Sequence, residues 1–160
     1  KGFGKSTFAR KLASVLELEL YHLDNLFWKP GWIDVPIEEQ KEITKELVKK
    51  ERRIIDGNYA ATLPIRLERA DTVIFLDVPR WLCIYSIFKR RVQYWNKQRP
   101  DINAGKERIS FEFLRYVWRF KKDKRPEVVK LVESVKGEKD IYTIYSRNQL
   151  DQVMEILRNK

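Results

Sequence analysis

Hydrophobic positions recur along this chain with two different spacings. Where apolar residues return every three or four positions, they predict helices at residues 6–18, 36–50, 81–95 and 110–122. Where short apolar or β-branched runs are bounded by polar residues, they predict strands at residues 18–23, 53–56, 72–76 and 141–145. Ser146 and Gln149 have the spacing of a capping box, which predicts a last helix after the fourth strand.

The predicted helices and strands alternate along the chain. Such alternation is typical of an α/β fold in which helices cover both faces of a parallel sheet. Residues 81–95 are apolar nearly all round in their first half, so we expect that helix to be buried. Because ligands of these folds bind at the carboxyl ends of the strands, the polar residues at those ends are the candidates for a functional site.

A phosphate-binding pattern stands at the start of the first predicted helix. Gly4-Lys5-Ser6-Thr7 matches the end of G-x-x-x-x-G-K-[ST], and Gly2 lies in the same predicted loop. Glycine lets backbone N–H groups approach phosphate oxygens; Lys5 would reach the β- and γ-phosphates and Ser6 would hold Mg²⁺. The alternative is a Gly-Lys turn that only caps a helix. We also expect an apolar segment of about ten residues upstream of Lys1, forming the central strand.

Three aspartates end predicted strands. Asp24 is a candidate general base or ligand of metal-bound water, and Asp56 a candidate to hold Mg²⁺ through water. Asp77 ends the third strand and is expected to act mainly as a cap, a role that each of the three could play. His22 shares a strand face with Asp24 and is interpreted as a packed polar residue.

The positive charge of the chain is concentrated in one segment. The net charge is +10, and residues 80–130 hold 15 basic and 5 acidic side chains, while the remainder is neutral. Such a segment suggests an anionic partner, although a solvated cationic face would look the same. Arg115, Arg119 and Lys122 lie on one stripe of the fourth predicted helix.

Two interpretations of this basic segment remain open. Arginines there, together with Arg90 and Arg91 at the end of the preceding helix, would suit a cover that closes over a transferring phosphoryl group. Alternatively, the basic residues and interleaved aromatic side chains could bind nucleic acid by phosphate contacts and stacking. Of the apolar residues on the helix, Phe113, Val117 and Trp118 are expected to be core.

Length and composition limit the remaining choices. A chain of 160 residues with 43% hydrophobic residues predicts one domain over residues 1–160, with the basic segment, about 90–126, as its lid. One cysteine and one histidine exclude an internal disulfide framework and a Cys/His zinc site. The single cysteine and the absence of a long apolar run predict a cytoplasmic protein without a membrane partner.

Beyond these patterns, the chain resembles a known family over nearly its whole length. The resemblance is carried by GKSTFARKLA, YHLDNLFWKPGW, IIDGNY, RLERADTVIFLDVPRWLC, KRR and EFLRYVWRF, which are similar to bacterial DNA topology modulation proteins of the FlaR-like type. These are P-loop proteins related to adenylate kinase. The resemblance implies an α/β, three-layer P-loop NTPase fold of the nucleoside-monophosphate-kinase type, with a five-stranded parallel sheet, an ATP site and a helical lid.

The likeness to adenylate kinases also places individual residues. Lys5 and its neighbours take the place of the phosphate loop, and Arg90 that of an arginine that touches ATP phosphates. The two arginines that grip the acceptor's phosphate in adenylate kinases are Ala60 and Phe27 here. Either Arg66 and Arg69 substitute for them, or the acceptor carries no phosphate and Asp24 takes the proton from its hydroxyl.

Together these observations predict an ATP- and Mg²⁺-dependent phosphotransferase that acts on a small hydroxyl compound. The catalytic candidates are Lys5, Asp24, Arg90, Arg115 and Arg119, and the candidates for acceptor binding are Asp24, Asn25, Asn58, Tyr59 and Arg66. Two rival hypotheses are a nucleic-acid-binding protein regulated by ATP and a nucleotide-binding regulator without catalysis.

Overall fold

A computed structural model describes residues 4–93 and 111–160 of the chain. The strands are β1 (Glu19–His22), β2 (Trp28–Lys29), β3 (Ile33–Asp34), β4 (Arg53–Asp56), β5 (Thr72–Leu76) and β6 (Asp140–Ile144). The helices are α1 (Lys5–Leu16), α2 (Leu23–Phe27), α3 (Ile37–Leu47), α4 (Leu63–Arg69), α5 (Arg80–Gln93), α6 (Phe111–Asp123), α7 (Arg125–Ser134) and α8 (Arg147–Arg158), and a 3₁₀ turn spans Ala60–Thr62.

The longer strands form two parallel pairs. β1 pairs with β4 in a register that sets His22 opposite Asp56, and β5 pairs with β6 from Thr72 to Leu76. β2 and β3 form a short antiparallel hairpin. The fold is therefore α/β with parallel strand pairs, as the alternation of elements predicts.

Helices cover both faces of the first strand pair. Ile54 packs on one face in a cluster formed by α1, α8 and the strands β5 and β6, whereas its neighbour Ile55 packs on the other face against α2 and α3. Successive strand residues point to opposite faces, so adjacent isoleucines serve two different cores. Because the first cluster includes residues of β4, β5 and β6, the two parallel pairs share one core.

A bidentate ion pair joins the end of β5 to the start of α7. Arg125 donates from Nε to Asp77 Oδ1 at 2.9 Å and from Nη2 to Asp77 Oδ2 at 2.6 Å. The Asp77 side chain is 8% exposed, so the pair is shielded on its acidic side. Asp77 therefore anchors α7 through an ion pair, whereas the sequence predicted a turn or helix cap.

Most of the predicted elements are confirmed, with shifts at their ends. The strands at 53–56 and 72–76 have the predicted bounds, and the capping box of Ser146 and Gln149 is present. The first helix ends at Leu16 rather than at residue 18, because Glu17 adopts a left-handed conformation with φ 53°. The first strand ends at His22, so Asp24 lies in the first turn of α2 and not on a strand. The predicted end of the third helix, at Trp95, lies outside the described residues.

Two predictions of burial were wrong. Trp81, Tyr85 and Phe88 on α5 are each more than half exposed, and so is Trp118 on α6. An all-round apolar sequence does not specify which side of a helix meets the core, and among the described side chains of α5 the buried one is Ile87. Val117 is half-buried, and the side chain of Phe113 lies outside the described residues. No helix within the described ranges combines the length and apolar character needed to cross a bilayer.

We predict that Gly57→Ala destabilises the fold, because a Cβ there would lie 2.6 Å from Leu23 Cβ, and Leu23 is fully buried. Forcing a methyl group into such a contact should lower the free energy of unfolding by about 2 kcal/mol. Chemical denaturation measures the change, and Asn58→Ala at the exposed neighbouring position is the control. Equal stabilities of Gly57→Ala and the unmodified protein would contradict the close packing of the loop on α2.

Candidate functional site

The predicted phosphate loop leads directly into α1. Gly4 is the N-cap residue in an extended conformation, and Lys5 is the first helical residue. A Cβ at Gly4 would lie 2.8 Å from Thr7 Oγ1, so a side chain at this position would crowd the first turn. Glycine at this position therefore leaves the first turn of α1 uncrowded, and a helix N-terminus is a common place for an anion. Gly2 lies outside the described residues.

Asp56 is the centre of the site. Lys5 Nζ donates to Asp56 Oδ1 at 2.7 Å, and His22 Nδ1 lies 2.9 Å from Asp56 Oδ2. The Ser6 side chain also lies near enough to this carboxylate to help lower its pKa. Two donors, one from α1 and one from β1, therefore converge on a single side chain at the carboxyl end of β4, and that side chain is only 6% exposed.

The electrostatics of Asp56 favour the carboxylate form. Burial by itself would raise the pKa of Asp56, but the hydrogen bond from His22 and the charge and hydrogen bonds of Lys5 and Ser6 outweigh it. The pKa is consequently held well below its ordinary value. At neutral pH the site thus offers an ionised carboxylate beside a lysine and a serine hydroxyl, which are groups suited to a phosphate and a divalent cation.

His22 is a member of this site that the sequence suggested only as a packed polar residue. Its side chain is indeed packed and only 10% exposed, and one ring nitrogen, Nδ1, hydrogen-bonds Asp56. The parallel register of β1 and β4 makes them neighbours. The position of both residues at strand ends was visible in the sequence, whereas the register that pairs them was not.

A second pair of side chains lies beside the first. The Tyr59 hydroxyl donates to Asp24 Oδ1 at 2.9 Å, and Phe27 packs edge-on against the Tyr59 ring at 4.7 Å between centroids. Burial, followed by the charge of Asp24, raises the pKa of Tyr59 far above its ordinary value. The phenol therefore remains a neutral donor, and it orients the Asp24 carboxylate.

Arg66 holds the loop formed by residues 57–59 through hydrogen bonds to its backbone. Its Nη1 donates to the Gly57 carbonyl at 3.0 Å and its Nη2 to the Tyr59 carbonyl at 2.8 Å. Burial lowers the pKa of Arg66 to about 10, with the charge of Asp56 acting in the opposite direction. Both terminal nitrogens are thus engaged by the backbone, so Arg66 positions residues 57–59 rather than presenting an open fork to an acceptor.

The remaining predicted residues are less closely grouped. Asn25 is half-buried and Asn58 is exposed next to Tyr59. Arg115 and Arg119 are exposed on α6, where Arg119 Nε bonds Asp123 Oδ2 at 3.0 Å. Within the described residues, neither arginine bonds Lys5, Asp24 or Asp56, so the structure does not bring them together. The side chain of Arg90 lies outside the part that the structure describes.

The residues present fit magnesium held together with a nucleotide. Among residues 4–93 and 111–160, no three His, Cys, Asp or Glu side chains form a metal-binding group. Mg²⁺ does not need one, because it commonly takes one or two carboxylates together with substrate phosphates and water. The Ser6 hydroxyl and the Asp56 carboxylate supply the protein oxygens for such a site.

Comparisons with protein-family models, curated proteins and solved structures found no match for this chain. The assignment of function therefore depends on the geometry of the site and on the sequence motifs.

We predict that Asp56 stabilises the fold in a pH-dependent manner. Because the pKa of Asp56 is lower in the folded protein than in the unfolded chain, its contribution is complete above the unfolded pKa of about 4. The contribution should then disappear as the pH falls through the folded pKa. Asp56→Asn should lower the free energy of unfolding at pH 7 by about 2 kcal/mol, the scale of hydrogen bonds to a charged group.

Denaturation curves of both proteins between pH 7 and pH 2 measure this difference, with the exposed Asp151→Asn as the control. A difference between Asp56→Asn and the unmodified protein that stays constant down to the lowest pH would be inconsistent with an ionised, multiply bonded Asp56.

Proposed function

We propose that this protein is an ATP- and Mg²⁺-dependent phosphotransferase that moves the γ-phosphoryl group of ATP to a hydroxyl of a small molecule. The observation that carries the proposal is the ion pair between Lys5, at the start of α1 and next to Ser6, and Asp56 at the end of β4. Catalysis of this kind depends mainly on positioning and on neutralising charge, and these residue types supply both.

Each residue of the site has a role in this proposal. Gly4 and Thr7 shape the phosphate loop, Lys5 binds the β- and γ-phosphates, and the Ser6 hydroxyl holds Mg²⁺, with Asp56 binding it through water. Mg²⁺ supplies charge neutralisation at the phosphates. Since Lys5 bonds Asp56 in the described structure, it exchanges this partner for phosphate when a nucleotide binds, and His22 keeps the carboxylate in place.

The lid arginines complete the proposed mechanism. Arg90, Arg115 and Arg119 would close over the transferring phosphoryl group, because the planar guanidinium binds phosphate oxygens in pairs. Arg115 and Arg119 are exposed on α6 and, in the described residues, bond none of Lys5, Asp24 and Asp56, so this role requires α6 to move toward α1. Motion of a cover over the site is common among phosphotransferases.

The finer description of the fold is part of the same proposal. One further parallel strand between β4 and β5 would join the pairs β1–β4 and β5–β6 into a five-stranded sheet of the P-loop, nucleoside-monophosphate-kinase type. The shared core of the two pairs supports this arrangement. The resemblance to DNA topology modulation proteins supports it too, and the single cysteine favours a cytoplasmic location.

An exposed aromatic and basic surface favours nucleic acid as a second candidate ligand. Trp81, Tyr85 and Phe88 are exposed on α5, and the Arg80 guanidinium lies 5.0 Å from the ring centroid of the exposed Trp118. Aromatic faces with adjacent cations can stack and hold single-stranded nucleic acid. If this surface binds oligonucleotides, affinity should fall linearly in log salt, and ATP should not be consumed in the process.

Lys5→Ala should abolish ATP turnover and weaken ATP binding about 10- to 100-fold, because it removes a charged hydrogen bond to the phosphates. Calorimetry with Mg·ATP and release of labelled ADP measure the two effects. Lys11→Ala is the matched control, because Lys11 lies on the same helix with a largely exposed side chain. Full turnover by Lys5→Ala would remove the central assignment.

A further inference from the structure

The surroundings of Asp24 bear on the chemical class of the acceptor, an inference that rests on the proposed phosphotransferase function. Asp24 follows His22 by two residues, and Tyr59 follows Asp56 by three. Because His22 and Asp56 are bonded at the ends of neighbouring parallel strands, the Asp24–Tyr59 pair lies beside the predicted phosphate site. An acceptor hydroxyl must be held at such a position for transfer to occur.

Two carboxylates act on the Tyr59 hydroxyl, since the charges of Asp24 and Asp34 both raise the pKa of Tyr59. The Trp28 side chain acts on that pKa in the opposite direction, and the Arg66 guanidinium bonds the Tyr59 carbonyl. The ring of Phe27 packs edge-on against the ring of Tyr59. A phosphate on the acceptor would therefore meet carboxylates and aromatic rings at this point of the site, and like charges disfavour each other most where solvent is excluded.

Arg66, the cation that bonds this loop, already holds the loop backbone. Its Nη1 and Nη2 atoms donate to the carbonyls of Gly57 and Tyr59, and its Nε atom is buried without a hydrogen-bond partner in the described structure. Any shift of Arg66 toward a phosphate would disturb the loop that presents Tyr59. Arg66, one of the two arginines that could replace a phosphate clamp, therefore shapes the candidate acceptor site instead.

We infer that the acceptor is a neutral polyhydroxy compound, such as a nucleoside or a free sugar, and not a phosphomonoester. Carboxylates and aromatic rings are the groups that bind hydroxyls and flat rings, whereas a phosphate calls for arginine or lysine. Tyr59 bonds one oxygen of Asp24, Oδ1, and this bond fixes the orientation of the carboxylate.

In the inferred transfer step, Asp24 acts as the general base. An acceptor hydroxyl oxygen forms a bond to the γ-phosphorus while the bond from that phosphorus to the bridging oxygen of ADP breaks. The hydroxyl proton passes to the Asp24 carboxylate, at Oδ2, and ADP leaves with the bond electrons. Proton transfer of this type contributes about 10²- to 10⁴-fold to a rate.

The test is a panel of nucleosides and free sugars, each paired with its own monophosphate, offered with labelled Mg·ATP. We expect at least one neutral compound to be phosphorylated with kcat/KM about 100-fold above that of its monophosphate, the discrimination that a site lacking a charged partner can produce. The nucleoside and sugar arms separate the two sources of neutral hydroxyl groups. Higher activity on the monophosphates, or no neutral compound accepted, would overturn the inference.

Two variants assign the effect to these side chains. Asp24→Asn should lower kcat about 100-fold or more without changing ATP affinity, and Tyr59→Phe should lower kcat/KM for the acceptor by about 10-fold. Asp151→Asn, an exposed carboxamide replacement on α8, is the matched control. Unchanged kcat in Asp24→Asn, with its fold verified by thermal unfolding, would also overturn the inference.

Calorimetric binding of ATP separates this inference from the function on which it rests. If ATP binds and only monophosphates are phosphorylated, the phosphotransferase stands and the neutral acceptor is wrong. If ATP itself fails to bind the unmodified protein, the proposed function is wrong, and the acceptor assignment falls with it.

Discussion

The organisation of the site depends on the buried carboxylate of Asp56. Lys5 bonds it from α1, and His22 bonds it from the neighbouring strand β1. An ionised carboxylate is tolerated at this depth only because these donors compensate for the lost hydration. The same contacts fix the start of the first helix against the ends of two strands, so the stability of this region and the proposed phosphate chemistry depend on one side chain.

A second set of contacts connects this arrangement to the neighbouring Asp24–Tyr59 pair. Gly57 brings the chain after β4 close to Leu23, Arg66 holds the carbonyls of Gly57 and Tyr59, and Tyr59 in turn orients Asp24. Each contact joins residues that are distant in sequence or lie on different elements. The candidate site is therefore a property of the β1–β4 pair and of the segments that follow its two strands.

The sequence predicted the parts of this picture that depend on local pattern. The Gly-Lys-Ser-Thr motif before a helix, the β-branched strand from Thr72 and the capping box at Ser146 are all short-range signals. The His22–Asp56 and Asp24–Tyr59 contacts span 34 and 35 residues and require the register of two strands, which no local pattern specifies. The exposed face of α5 was missed for a similar reason, since apolar residues surround much of that helix and packing alone selects the buried side.

The most direct test of the central claim is a crystal structure of the full-length protein with Mg²⁺ and a non-hydrolysable ATP analogue. The account predicts that the triphosphate lies at the start of α1, with Lys5 Nζ moved from Asp56 to the phosphates and His22 still bonded to Asp56. An analogue bound at another place, or Lys5 still paired with Asp56 while the nucleotide is present, would contradict it.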